Sequence, residues 1–125
     1  MYNLGMANWT IVYYITINGA SPVTDFIDSL DDTAQAKVIN TVRLLKEFGI
    51  RLGGSHSKKI KGTAVWELRI LGSANIRVIY VAVKQRSFLL LHAFNKKSSK
   101  TPSKELKTAA DRLREYRSRK LRTPH

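Results

Sequence analysis

The chain has 125 residues and a mass of 14.2 kDa, with 43% hydrophobic and 25% charged residues, which fits one small globular domain with an apolar core and excludes a second full domain. It has no cysteine, which excludes a disulfide framework, a thiolate metal site and a cysteine nucleophile, and no apolar run approaches the roughly 18 residues that span a bilayer. Twenty-two Lys and Arg against nine Asp and Glu give a net charge of +13, divided as −1 over residues 1–57 and +14 over residues 58–125, a field that attracts a polyanion such as nucleic acid, an anionic membrane face or an acidic protein; the simpler alternative is a solvated surface with a solubility excess.

After a short lead, Trp9 to Ile17 is β-branched and aromatic, the composition of a strand, and Asn18-Gly19 ends it with a turn signal. Ser21-Pro22 reads as the cap and first position of a two-turn helix with Val23, Phe26, Ile27 and Leu30 on one face. Asp31 or Asp32 caps a longer helix whose apolar stripe is Val38, Ile39, Val42, Leu45 and Phe48, with Gly49 as its left-handed stop. Residues 50–64 are rich in Gly, Ser and Lys, the composition of a loop that carries Lys58, Lys59 and Lys61 into the next strand. Val65 to Leu71 alternates, Gly72 to Asn75 is a turn, and Ile76 to Val83 and Phe88 to Phe94 follow as strands. The last of these is apolar on both faces, which puts it inside the sheet. Thr101-Pro102 opens a final helix packed through Leu106, Ala109, Ala110, Leu113 and Tyr116, with eight basic and three acidic residues between Lys104 and Arg122. The reading is a single α+β domain over residues 1–125, in the order βααβββα, with an antiparallel sheet packed against helices and flexible ends at 1–8 and 119–125.

Register decides which side chains share a face around the Gly72–Asn75 turn. An even residue sum puts Glu67, Arg69 and Arg77 on one face and Trp66, Leu68, Ile70, Ile76, Val78 and Tyr80 on the other. An odd sum buries Arg77 in the core at a cost of several kcal/mol, roughly, so the even register is expected. It makes a basic, concave sheet face with Lys58 to Lys61 and Lys96 and Lys97 at its rim. Such a cluster stabilises the charge that grows on a phosphorane-like transition state, and Arg77 is the expected phosphate contact. The simpler alternative is that Arg69 or Arg77 pairs with Glu67 on a sheet surface. His92 lies in an apolar run and reads as a core histidine, while His56 and His125 fall in a loop and a tail. There is no His pair with zinc spacing, no Gly-rich phosphate loop and no nucleophile elbow, so neither metal nor other cofactor is expected.

The ordered series Val65-Trp66-Glu67-Leu68-Arg69, Arg77-Val78-Ile79-Tyr80, Leu91-His92-Ala93-Phe94-Asn95-Lys96-Lys97 and Lys100-Thr101-Pro102, followed by a basic helix, resembles the RelE/ParE toxin superfamily, and within it the phage-derived HigB-type branch. The resemblance covers roughly residues 9 to 118. It implies the RelE-like fold and the toxin of a type II toxin–antitoxin pair: a metal-independent endoribonuclease that cuts mRNA in the 70S ribosome by driving the ribose 2′-OH onto the neighbouring phosphate. By position, Arg77 matches the arginine at the scissile phosphate, Arg69 a further basic position, and Lys96 or Lys97 a basic residue at the end of the last strand. Glu67 stands where better-known members carry a lysine, and the tyrosine they place after the last strand has no clear match. Glu67 and His92 are the candidates for general base.

The remaining basic residues, Lys58, Lys59, Lys61, Lys100, Lys104 and Lys107, are expected to bind RNA. The implied partners are the ribosome, mRNA and a neutralising antitoxin of the HigA-like, helix-turn-helix kind. The expected location is the cytoplasm, with no membrane partner. A ParE-like inhibitor of DNA gyrase and an inactive, nucleic-acid-binding phage remnant are the alternatives.

Overall fold

The β-branched stretch after Trp9 forms β1 (Thr10–Tyr13), and the two cap signals start α1 (Pro22–Asp28) and α2 (Asp32–Phe48). A computed structural model describes residues 8–72, 75–97 and 100–122. The Asp31 carboxylate accepts from the Ala34 N–H at 2.8 Å, closing the first turn of α2, and Gly49 ends that helix at φ 59°. A single 3-10 turn (Gly49–Arg51) leads to β2 (Ser57–Lys59), β3 (Trp66–Arg69), β4 (Ile76–Val83) and β5 (Ser87–Asn95), and α3 (Ser103–Arg122) closes the chain. The expected flexible ends fall largely outside the described residues, and within them α3 runs on through Arg122.

The strands form one five-stranded sheet in the order β1-β5-β4-β3-β2. From β2 to β5 every pairing is antiparallel, whereas β1 joins β5 parallel, so the sheet is mixed. The cause is the α1–α2 crossover. It carries the chain to the opposite edge, and the four-strand meander then returns β5 beside β1 pointing the same way. β2 lies inside what reads as a loop. Its sequence, Ser-Lys-Lys, has little strand propensity, and the pairing is imposed by the half-buried face of β3.

Helices cover both faces. Against α1 and α2 pack Leu68, Ile70, Val78, Tyr80, Phe88 and Leu90, and against α3 pack Ile79, Val81, Leu89, Leu91 and Phe94. β5 is thus buried on both faces, as its unbroken apolar run requires. The stripe of α2 differs from expectation: Val38, Thr41, Val42 and Leu45 are buried, while Ile39 and Phe48 are 56% and 47% exposed. A helix advances 100° per residue, so the arc centred on 38, 41, 42 and 45 turns residues 39 and 48 toward its margins. Thr41 is accommodated because its hydroxyl donates to the Lys37 carbonyl at 2.8 Å. On α3, Ala109 and Leu113 are buried and Ala110 faces outward.

Between Ile79 and Tyr80 the β4–β5 register slips by one, leaving Leu91 without a cross-strand partner. This β-bulge reverses the inside–outside alternation of the second half of β5. His92 and Phe94 therefore face α3, opposite Ile79 and Arg77, and Ala93 faces the α1–α2 side.

Candidate active site

The β3–β4 ladder sets Arg69 directly opposite Arg77, Glu67 opposite Ile79 and Leu68 opposite Val78, which is the even register. The pleat then puts Glu67, Arg69 and Arg77 on the α3 side of the sheet. That face is not the open basic surface expected from the alternation. α3 covers its β5 half, and Glu67 is sealed beneath the segment entering α3, with its side chain 3% exposed.

Glu67 organises the cluster. Its Oε2 accepts the Thr101 hydroxyl at 2.5 Å, and its Oε1 lies 3.6 Å from both Arg77 Nε and Lys96 Nζ. At that length the two ion pairs are electrostatic contacts rather than hydrogen bonds. Arg77 and Lys96 are themselves mostly covered, at 17% and 11% side-chain exposure, so the attraction is weakly screened. Arg77 Nη1 also donates to the Ile76 carbonyl at 3.1 Å. Of the two lysines that end the last strand, Lys96 joins the cluster and Lys97 is exposed. The Nε atoms of Arg69 and Arg77 are buried and make no hydrogen bond among the described residues.

His92 is held apart from this cluster. Its Nε2 is 2.6 Å from Glu105 Oε1 and its Nδ1 is 3.2 Å from Arg112 Nη1. An arginine N–H only donates, so Nδ1 is the acceptor, and Nε2–H donates to the carboxylate. Burial, the largest influence, pushes the imidazole below its ordinary pKa. The Glu105 hydrogen bond and charge pull it back up, and the Arg112 charge adds to the lowering. Glu105 and Arg112 are seven residues apart, two turns of α3, and so reach the same ring. Arg112 Nη1 also donates to the Leu91 carbonyl at 2.9 Å, the residue left unpaired by the bulge. The arrangement is a clamp between β5 and α3.

Sequence reasoning missed Thr101, Arg112 and the placement of His56. Thr101 reads only as a helix-opening residue, and the i, i+7 spacing of Glu105 and Arg112 was the available sign of the clamp. The Arg69 N–H donates to the His56 carbonyl at 2.8 Å, which extends the β2–β3 ladder one residue beyond Ser57 and sets His56 opposite Arg69.

A family model described as phage-derived protein Gp49-like (DUF891) matches residues 25–114. The chain belongs to this family. The match takes in α2, all of β2 to β5 and more than half of α3, hence the whole Arg–Glu–Lys cluster and the histidine clamp. No curated protein matches the chain. The Gp49-like family is a RelE/ParE-like toxin family.

In this Gp49-like protein the other lysines expected to bind RNA are spread over several elements. Lys58 and Lys59 lie on the edge strand β2, Lys61 in the turn that follows, Lys100 before α3, and Lys104 and Lys107 on its first turns, all exposed. Lys59 donates to the Thr63 carbonyl at 2.6 Å, and Lys107 pairs with Asp111 at 2.9 Å. A groove of about 770 Å³ between α3 and the β2–β3 turn is lined chiefly by apolar residues such as Val65, Leu106, Leu113 and Leu121, and contains none of the predicted site residues. Among the described residues no group of three or more His, Asp or Glu side chains is placed to hold a metal ion, and no helix is long and apolar enough to cross a membrane.

Proposed function

We propose that the protein is the toxin of a type II toxin–antitoxin pair, of the HigB-like branch, and that it cleaves mRNA on the ribosome with Arg77 and Arg69 at the scissile phosphate. The observation that carries this reading is the cross-strand Arg69–Arg77 pair, whose Nε atoms make no hydrogen bond among the described residues, with Arg77 also ion-paired to Glu67. Like charges directly opposite on neighbouring strands repel. An anion between them converts the repulsion into attraction, and a phosphate whose charge grows in the transition state gains most from it. Membership of a RelE/ParE-like toxin family supports the same class of action.

In this reading Glu67 is a positioning residue that fixes Arg77 and Lys96 through its own charge. His92 is a positioning residue too, since its clamp ties β5, and with it the approach to Lys96, to α3. The exposed lysines meet the backbone of ribosomal RNA and message, where only charge is needed. The neutralising partner is an antitoxin of the HigA-like, helix-turn-helix kind, and the site of action is the cytoplasm.

The test is induced expression of wild type and Arg77→Ala in cells without the antitoxin, reading growth and mapping mRNA 5′ ends. The expected result is arrest with new in-frame cuts, reduced about 10²–10³-fold in the variant. Arrest without cuts overturns the nuclease reading and favours a ParE-like gyrase inhibitor. No arrest favours an inactive remnant.

A further inference from the structure

The reaction proposed above needs a group that takes the ribose 2′-OH proton, and neither Glu67 nor His92 is free to do so. Glu67 is sealed beneath Thr101 with its carboxylate committed to two cations, and both ring nitrogens of His92 are engaged. A third titratable side chain stands on the arginine row. The His56 N–H donates to the Gly53 carbonyl at 3.2 Å and its carbonyl accepts from the Arg69 N–H at 2.8 Å, so its backbone is fixed on both sides. Ser57 opposes Leu68 and Arg69 opposes Arg77, so residues 56, 69 and 77 form one cross-strand row, spaced about 4.8 Å per strand. Ser57 is turned into the core, its hydroxyl against that of Tyr80. Alternation therefore places His56 and Lys58 on the opposite face, with the arginines. His56 is half-buried, and among the described residues its imidazole makes no hydrogen bond or ion pair. β2 is the edge strand, so RNA entering over the lysines of that edge meets His56 first and the arginines next.

We propose that His56 is the general base of RNA cleavage, an inference that rests on the nuclease reading. A phosphate seated against Arg69 and Arg77 leaves its ribose toward the sheet edge, one strand away, within the reach of an imidazole. His56 takes the 2′-OH proton as the O2′–P bond forms. The P–O5′ bond breaks, leaving a 2′,3′-cyclic phosphate, and the departing O5′ takes a proton from water. The imidazolium gives its proton to the hydroxide so formed and is neutral again. Histidine suits this duty because a neutral imidazole nitrogen has a lone pair that accepts a proton, which the ammonium groups around it lack. The charged groups on its face are Lys58, Glu67, Arg69 and Arg77, with Lys96 reaching Glu67 from the end of β5.

The experiment is single-turnover cleavage of ribosome-bound mRNA by the purified full chain, comparing wild type, His56→Gln, His56→Ala and Arg77→Ala. Thermal melts verify that each variant is folded. His56→Gln and His56→Ala are expected to lose about 10²–10³-fold in rate with little change in half-saturation by ribosomes, and to lose the acid limb of the pH–rate profile. Added imidazole is expected to restore part of the His56→Ala rate and none of the Arg77→Ala rate. Cleavage by folded His56→Gln within about threefold of wild type, with the acid limb intact, overturns the proposal while leaving the nuclease reading in place. Absence of cleavage by wild type itself overturns the nuclease reading, and this inference with it.

Discussion

Glu67 shows how one residue changes meaning between sequence and structure. In the alternating Trp-Glu-Leu-Arg stretch it reads as a solvent-facing partner for an arginine or as a candidate base, yet its carboxylate is buried among Arg77, Lys96 and Thr101. Removing the anion strands two covered cations. Glu67→Ala is expected to destabilise the fold by about 3 kcal/mol, with Glu67→Gln intermediate because it keeps a partner for Thr101, read from urea denaturation midpoints. His92 carries the pH dependence. Its pKa in the folded protein lies below the ordinary 6.5, so just below that pH the unfolded chain binds more protons than the folded one. The stability it contributes is full above about pH 6.5 and is lost as the pH falls through the folded value. Urea denaturation from pH 7.5 down to 5 is expected to show a falling midpoint that flattens in His92→Gln.

At the scale of elements, local signals were enough where the chain itself supplied the hydrogen-bond partner. The Asp31 cap and the Gly49 stop of α2 were readable because each is completed within four residues. Gly49 also has a tertiary duty: it sits at φ 59°, and a methyl there would run into the indole of Trp9, which stacks on Phe88 at 4.3 Å. Gly49→Ala is expected to cost about 2 kcal/mol or more and to lower the melting temperature, since a left-handed backbone and a steric clash act together. β2 and the β5 bulge were not readable. A three-residue Ser-Lys-Lys strand exists only because β3 offers it an edge. The bulge is a mismatch between two strands that no single stretch of sequence records, and it alone decides that His92 faces α3.

Across the whole molecule the basic excess is the dominant long-range feature, and it sits on the half of the chain that builds the arginine row, the edge strand and α3. With about four RNA phosphates neutralised, affinity for single-stranded RNA is expected to fall about 50-fold between roughly 50 and 200 mM salt, measurable by fluorescence anisotropy. The sequence by itself determined the α+β class, most of the element order, the even register of the β3–β4 hairpin and the charge asymmetry, because caps, alternation and the cost of burying a guanidinium are local or pairwise matters. Only the tertiary structure decided that helices cover both faces, that Glu67 is an internal counter-ion, that Lys96 rather than Lys97 meets it, and that His56 falls in line with Arg69 and Arg77. These depend on where α3 lands and on which strand borders which, and both are fixed by the packing of segments far apart in the chain.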